Sequence, residues 1–207
     1  MSQYFQIHPV NPQARLIQQA VAIVRRGGVI AYPTDSAYAL GCQLGDKAAL
    51  ERIRRIRKLD DDHNFTLVCR DLSELGTYAR VDNSAYRLIR NHTPGPYTFI
   101  LKATDEVPRR LLHPKRRTIG LRVPENLIAL ALLENLGEPL MSVTLLLPGE
   151  ELPMTDPELI RERLEHEIDL VIDGGACVTE LTSVIDLADD APVIVRVGRG
   201  DVAAFQD

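Results

Sequence analysis

Hydroxyl groups and arginines are the residues of this sequence placed to do chemistry. A short apolar run, Gly28-Val29-Ile30-Ala31, reads as the first buried strand and leads into Tyr32-Pro33-Thr34-Asp35-Ser36-Ala37-Tyr38. Pro33 lacks an amide hydrogen and stops strand pairing. Thr34, Ser36 and Tyr38 then offer hydroxyl donors and acceptors, and Asp35 a carboxylate. They stand where an α/β sheet keeps its ligand crevice. The same side chains would equally suit a turn bonded to its own backbone. Further along, Thr118-Ile119-Gly120-Leu121-Arg122-Val123 is an apolar strand carrying one arginine. A guanidinium there requires a partner, either a protein carboxylate or a ligand anion. Arg52, Arg54, Arg55, Arg57 and Lys58 crowd five positive charges into seven positions. Like charges repel on a helix, so this cluster reads either as an anion-binding face or as a solvated one. Arg109-Arg110 and Lys115-Arg116-Arg117 form a second basic group, broken by Pro114.

Other chemistries find no support. There is no Gly-x-x-x-x-Gly-Lys-Ser/Thr loop, and no Gly-x-Gly-x-x-Gly after a strand. Gly198-Arg199-Gly200-Asp201 is too short and too near the end to serve as one. A Gly-x-Ser-x-Gly nucleophile elbow is missing. No His/Cys cluster has metal-ligand spacing, so no metal ligand is expected. Of the 5 histidines only His63 lies beside a candidate motif. Hydroxyls with arginines suit a phosphorylated or carboxylated ligand.

The elements that must position these groups alternate irregularly. Apolar spacing predicts helices over 13–26, 46–58, 72–78, 83–91, 124–136 and 156–167. Asp46 is the expected N-cap of the basic helix. Pro124 is expected in the first turn of its helix, and Gly137 at its stop. Strands are expected over 65–69, 97–101, 118–123, 140–144, 169–173, 183–187 and 193–197. The last strands are joined by connections too short for helices. That predicts a mixed α/β sheet with antiparallel pairs near the C-terminus.

The 207 residues suit one domain, 1–207, and 45% hydrophobic content suffices for a core. No apolar run is long enough for a bilayer, and the N-terminus does not read as a signal peptide. Cys42, Cys69 and Cys177 are scattered without a CxxC pair, which suits reduced thiols in a cytoplasm. The net charge is −5, but it is unevenly spread. Residues 1–149 hold twenty Lys and Arg against fourteen Asp and Glu, whereas residues 150–207 hold four against fifteen. This asymmetry allows a basic face on an acidic protein, and equally a solvated acidic helix near the end.

The stretch Pro33-Thr34-Asp35-Ser36-Ala37-Tyr38-Ala39-Leu40 resembles the Pro-Thr-Asp-Thr-x-Tyr-Gly-Leu motif of the YrdC-like family, which makes threonylcarbamoyl-AMP for tRNA modification. Four further stretches resemble that family in order. They are Pro94-Gly95-Pro96-Tyr97-Thr98-Phe99-Ile100-Leu101, Gly120-Leu121-Arg122-Val123-Pro124, Thr182-Ser183-Val184-Ile185-Asp186 and Arg196-Val197-Gly198. The likeness runs from about Gln13 to Val197. Two pairs depart from the pattern. Arg57 and Leu59 stand at the family's Lys-x-Arg, and Thr144 and Leu146 at its Ser-x-Asn. Together with His63-Asn64-Phe65-Thr66-Leu67, these features resemble the YciO branch most.

The resemblance implies a twisted mixed parallel/antiparallel sheet flanked by helices, of the YrdC/RibB type, with a concave basic face. It implies a reaction in which threonine or another small acid and bicarbonate give a carbamate that attacks ATP, with Mg²⁺ as the only metal and no tightly bound cofactor. No residue is assigned with certainty to catalysis. Arg57, Thr34 and Thr144 are the candidates. Thr34, Tyr38, Arg57, His63, Arg122, Ser142, Thr144, Thr182, Ser183 and Arg196 are the expected substrate and nucleotide contacts. Arg52, Arg54, Arg55, Lys58, Lys115, Arg116 and Arg117 are the expected contacts to structured or double-stranded RNA, tRNA included. Losing one charge-stabilising donor costs about 10²–10³ in rate, so the altered pairs leave either a weak or retuned synthase or a non-catalytic RNA- or nucleotide-binding paralogue.

Overall fold

Eleven strands, among the residues described, join in one sheet. In chain order they are β1 (Gln3–Gln6), β2 (Ile30–Tyr32), β3 (Ala39–Gln43), β4 (Thr66–Val68), β5 (Ala79–Arg80) and β6 (Tyr97–Ala103). There follow β7 (Thr118–Arg122), β8 (Leu140–Thr144), β9 (Leu170–Asp173), β10 (Ser183–Asp186) and β11 (Val193–Arg196). The helices are α1 (Ala14–Arg25), α2 (Lys47–Arg57), α3 (Leu75–Tyr78), α4 (Asn83–Asn91), α5 (Leu127–Leu136) and α6 (Pro157–Leu164). The structure, a computed structural model, describes residues 1–60, 63 and 65–206. Asp61, Asp62, Asn64 and Asp207 lie outside the described residues.

Strand order is β1-β9-β2-β3-β8-β4-β7-β6-β10-β11, with β5 beside β6. Pairing is parallel for β1/β9, β2/β9, β4/β7 and β6/β10, and antiparallel elsewhere. The expected mixed sheet is therefore present, and β10/β11 is one of its antiparallel pairs.

Period-2 alternation divides the side chains between two faces. Leu40, Leu67, Phe99, Leu121, Met141 and Ile185 pack on one face against α2, α4 and α6. On the other face, Ile30, Tyr32, Leu140, Leu170 and Ile172 pack against α1 and α5. Helix α2 shows why its crowded charges are tolerated. Its Leu50, Ile53 and Ile56 are buried, each worth roughly 1.5–3 kcal/mol. A like-charge pair on a helix costs only about 0.2–0.5 kcal/mol. Asp46 caps this helix as expected, accepting from the Ala49 amide at 2.9 Å.

The strands β3 and β5 were not expected from the sequence, and three other elements differ from the expectation. Helix α5 begins at Leu127, not Pro124, because Asn126 is the cap and accepts from the amides of Ile128 and Ala129 at 3.1 and 3.0 Å. Helix α6 stops at Leu164, and the Glu165 carbonyl beyond it accepts from the Ser2 amide at 2.8 Å. The strand after Gly28 is the second, since Gln3–Gln6 pairs in parallel with β9.

Candidate functional site

Beyond α1 and α5 their face of the sheet becomes the floor of a cavity of about 270 Å³. Gly120 and Arg122 of β7, Thr98 and Ile100 of β6, Thr66 of β4, and Ser142 and Thr144 of β8 reach it by simple alternation. Thr182 and Arg196 close one side, and Arg57 and His63 another. Gly120 has to be small: a Cβ would lie 2.9 Å from the Thr66 hydroxyl and 3.2 Å from the Phe65 carbonyl oxygen.

Arg122 is the centre of the site. Its side chain and that of Asp35 are only 8% and 10% exposed, and its Nη2 donates to Asp35 Oδ1. The same nitrogen meets the hydroxyls of Ser36 at 3.1 Å and Thr34 at 3.4 Å. Thr34 donates to the Ala37 carbonyl at 2.7 Å and accepts from the Ser36 amide at 3.0 Å. The segment is thus the self-bonded turn of its second reading, and it also grips an arginine. Asp35 Oδ2 and Arg122 Nε are buried without a hydrogen-bond partner among the described residues.

Two more guanidiniums face this cavity without a carboxylate partner among the described residues. Arg196 donates from Nε to the Thr182 carbonyl at 2.9 Å and from Nη2 to the Thr182 hydroxyl at 3.0 Å. The Thr182 hydroxyl is also 3.0 Å from that of Thr98. Burial pulls the pKa of Arg57 down, and burial with the nearby Arg122 charge pulls down that of Arg196. Both shifts record the cost of holding positive charge there, which a bound anion would relieve. Burial and the charges of Arg57 and Arg54 likewise lower the His63 pKa, so this ring is neutral at pH 7.

No activated thiol adjoins these groups. Burial pushes the Cys42 thiol up to about 12, and burial raises Cys69 and Cys177 too. All three cysteines are free. No group of three or more His, Cys, Asp or Glu converges among the described residues.

Not every expected contact reaches the cavity. Tyr38 is fully buried, and its hydroxyl donates to the Gly175 carbonyl at 2.8 Å and accepts from the Gly174 amide at 3.3 Å. It ties the turn after β9 to β3. Ser183 is also fully buried, with its hydroxyl donating to the Gly200 carbonyl and accepting from the Gly198 amide. Ser142 lines the cavity, but its hydroxyl is engaged by Tyr32 at 2.8 Å and the Leu40 carbonyl at 3.2 Å. Thr66 and Thr98 were not singled out as site residues, although their alternation with Leu67 and with Tyr97 and Phe99 marks the face they occupy. Of the two departures from the family pattern, Leu146 lines the cavity whereas Leu59 lines a separate cleft.

That cleft also holds Arg54, Arg55 and Arg110, with Glu51. The Arg54 guanidinium lies 5.0 Å from the centre of the Phe65 ring. Lys58 caps α2 in a left-handed conformation. Three other expected RNA contacts are already matched by carboxylates. Arg52 pairs with Asp169 at 2.8 Å, Arg116 with Asp186 and Asp189, and Arg117 with Asp105 at 3.4 Å. Lys115 donates its amide to His113 Nδ1 at 3.3 Å.

Known proteins share this architecture. YciO of Escherichia coli is 66% identical over 205 residues, 99% of this chain and 100% of that protein. Its crystal structure superposes with a TM-score of 0.96. Threonylcarbamoyl-AMP synthase of Nitrosococcus oceani is 32% identical over 159 residues, 76% of this chain and 85% of that enzyme. The crystal structure of Pyrococcus abyssi Sua5 complexed with L-threonine matches at 26% identity with a TM-score of 0.88, over 95% of this chain and 58% of that one. A family model described as telomere recombination, which unites Sua5, YciO and YrdC, matches residues 22–198. With that match spanning most of the sheet and the whole cavity floor, the chain belongs to the Sua5/YciO/YrdC family.

Proposed function

We propose that the cavity binds ATP with Mg²⁺ together with the carbamate of a small amino acid, and joins them as an acyl adenylate. The observation that carries this reading is the meeting of Arg57, Arg122 and Arg196 in one hydroxyl-lined cavity. In the reaction, the amine of the acid condenses with bicarbonate and loses water to give a carbamate. A carbamate oxygen then attacks the α-phosphorus, the bond from that phosphorus to the bridging oxygen breaks, and pyrophosphate leaves with the negative charge. Such a transfer asks a protein for positioning and charge stabilisation. Arg57 would steady the departing phosphates, and Arg122 and Arg196 the carboxylate and α-phosphate. Thr34 would fix Arg122, and Thr144 would orient the acid. L-threonine in the Pyrococcus abyssi relative supports an amino acid as the acid. The free cysteines suit a reducing cytoplasm, and no helix of the described residues is long and apolar enough to cross a membrane.

The test is pyrophosphate release from ATP with Mg²⁺, bicarbonate and threonine, with the nucleotide product resolved by chromatography. A threonylcarbamoyl-adenylate peak supports the reading. ATP binding without product for threonine or any other small amino acid overturns it in favour of a nucleotide-binding role without turnover. Leu146 favours that second role, because it places an isobutyl group where the family pattern has an amide. Leu146→Asn separates the two: a rise in product formation of about 10² or more marks a detuned synthase. Leu59 lies away from the cavity, so its reversion is not needed for that rise.

Structured RNA, including tRNA, is proposed as a partner of the cleft that joins Arg54, Arg55 and Arg110 beside Lys58. Replacing Arg55, Lys58 and Arg110 together should weaken RNA binding and flatten its salt dependence by about three charges. An unchanged salt slope would place the RNA elsewhere.

A further inference from the structure

The Gly198-Arg199-Gly200-Asp201 stretch forms no phosphate loop, and its contacts give it another use. It lies beyond or at the very end of the family match, which stops at residue 198. The Gly198 amide donates to the Ser183 hydroxyl at 2.9 Å, and that hydroxyl donates to the Gly200 carbonyl. The Arg199 amide donates to the Leu181 carbonyl at 2.8 Å, and the Tyr97 hydroxyl to the Asp201 carbonyl at 2.9 Å. Both glycines lie where no Cβ fits. At Gly198 it would be 2.3 Å from the Leu181 carbonyl oxygen, and at Gly200 2.4 Å from the Tyr97 ring. The tail then turns through Ala203–Phe205 and buries Phe205, whose ring centre is 4.6 Å from that of His92 and 6.1 Å from that of Tyr97.

This tail is laced to residues 181–183, and Thr182 is the residue that holds both hydrogen bonds of Arg196. Arg196 itself comes from an edge strand held by β10 and by Ile194 on the core, with Val193, Val195 and Val197 57%, 56% and 69% exposed. We propose that residues 198–205 are a positioning strap for the cavity: Phe205 anchors the tail, the tail clamps Leu181–Ser183, and Thr182 thereby aims Arg196 at the bound anion. Phe205 and Ser183 are positioning residues in this scheme and touch no ligand. The anion's identity rests on the nucleotide reading above, but the clamp does not.

The experiment compares the full chain with Phe205→Ala and with the milder Tyr97→Phe, which removes only the bond to Asp201. Hydrogen exchange is followed at the amides of Ser183, Gly198 and Arg199, and the Arg196 Nε–H is followed by NMR. The strap predicts faster exchange at these sites in both variants, larger in Phe205→Ala, with amides of β2 and β9 unchanged. MgATP affinity should fall about tenfold in Phe205→Ala, the size of one lost hydrogen bond to a charged group. The same change in an Arg196→Gln background should add almost nothing further. Phe205→Leu should recover most of the affinity. Unchanged exchange at Gly198 and at the Arg196 Nε–H overturns the strap, as does a uniform rise across the sheet or full additivity with Arg196→Gln. If the parent chain fails to bind ATP, the nucleotide reading falls, and the exchange results still decide the clamp on their own.

Discussion

Replacing Asp35 by alanine should destabilise the fold by about 3 kcal/mol, the lower end of the roughly 3–5 kcal/mol lost when one partner of a buried ion pair is removed. The lower end applies because Arg122 keeps the Ser36 hydroxyl at 3.1 Å, whereas its contact to Thr34 is long at 3.4 Å. The loss is large because the two side chains are 8% and 10% exposed, so little water can replace the carboxylate. For a chain of 207 residues, this corresponds to a fall in Tm of about 6–12 °C. Differential scanning calorimetry at pH 7 gives the number directly. Asp35→Asn should cost less, because its carbonyl still accepts from Nη2. Asp35→Ala combined with Arg122→Met should recover part of the loss, because no unpaired charge is then left behind. Saturating pyrophosphate should raise the Tm of Asp35→Ala more than that of the parent chain, since a bound anion replaces the missing charge. A Tm for Asp35→Ala within about 2 °C of the parent would refute the reasoning, because at this chain size that is under roughly 1 kcal/mol.

Three further outcomes are expected. Tyr38→Phe removes the bond to the Gly175 carbonyl and should cost about 1–2 kcal/mol in urea unfolding, with the m-value unchanged. His63 carries a pKa below its ordinary 6.5 in the fold, so the unfolded chain binds the proton more readily. Its contribution is therefore complete above pH 6.5 and is lost as pH falls from there through the lowered pKa of the fold. A His63→Asn variant should show a flatter fall in stability as pH drops below 6.5. Gly120→Ala puts a methyl against Thr66 and Thr98 on the cavity floor. It should cost about 1–3 kcal/mol in the same urea assay and weaken ATP binding.

Among the expected site residues, strand alternation places Arg122 and Thr144 on the cavity face, while Arg57, His63 and Thr182 reach it from outside the strands. Arg122 in an apolar run required a partner, and Thr144 and Thr182 fell on the open face with it. Asp35 as that partner was not legible, because 87 positions separate the two and only the fold brings them together. Tyr38 lies off the cavity for a reason of register. The β2–β3 pairing sets Tyr32 opposite Ala39, so face parity reverses across the hairpin and Tyr38 turns away from the side that Thr34 and Ser36 serve. Thr182 and Ser183 are neighbours on one extended segment, so alternation allows only one of them to face the cavity. The pairing of Arg52, Arg116 and Arg117 with distant carboxylates left no local mark, and the charge runs overstated the free positive surface. The N-terminal strand was missed because four residues with two partly buried aromatics carry too little pattern.

The parallel seat of β9 between β1 and β2 has a consequence for biosynthesis. Ile30 pairs with Leu170 and Gln3 with the same residue, so this edge of the sheet cannot zip until its third strand has been made. At about 5–20 residues per second, the 140 residues from Ile30 to Leu170 take roughly 7–28 s to translate. Through that interval the nascent chain holds β2 and the apolar side of α1 without their final cover. Folding of this half is therefore tied to near-completion of the polypeptide, and a ribosome stalled before Leu170 would present an unfinished sheet edge to chaperones.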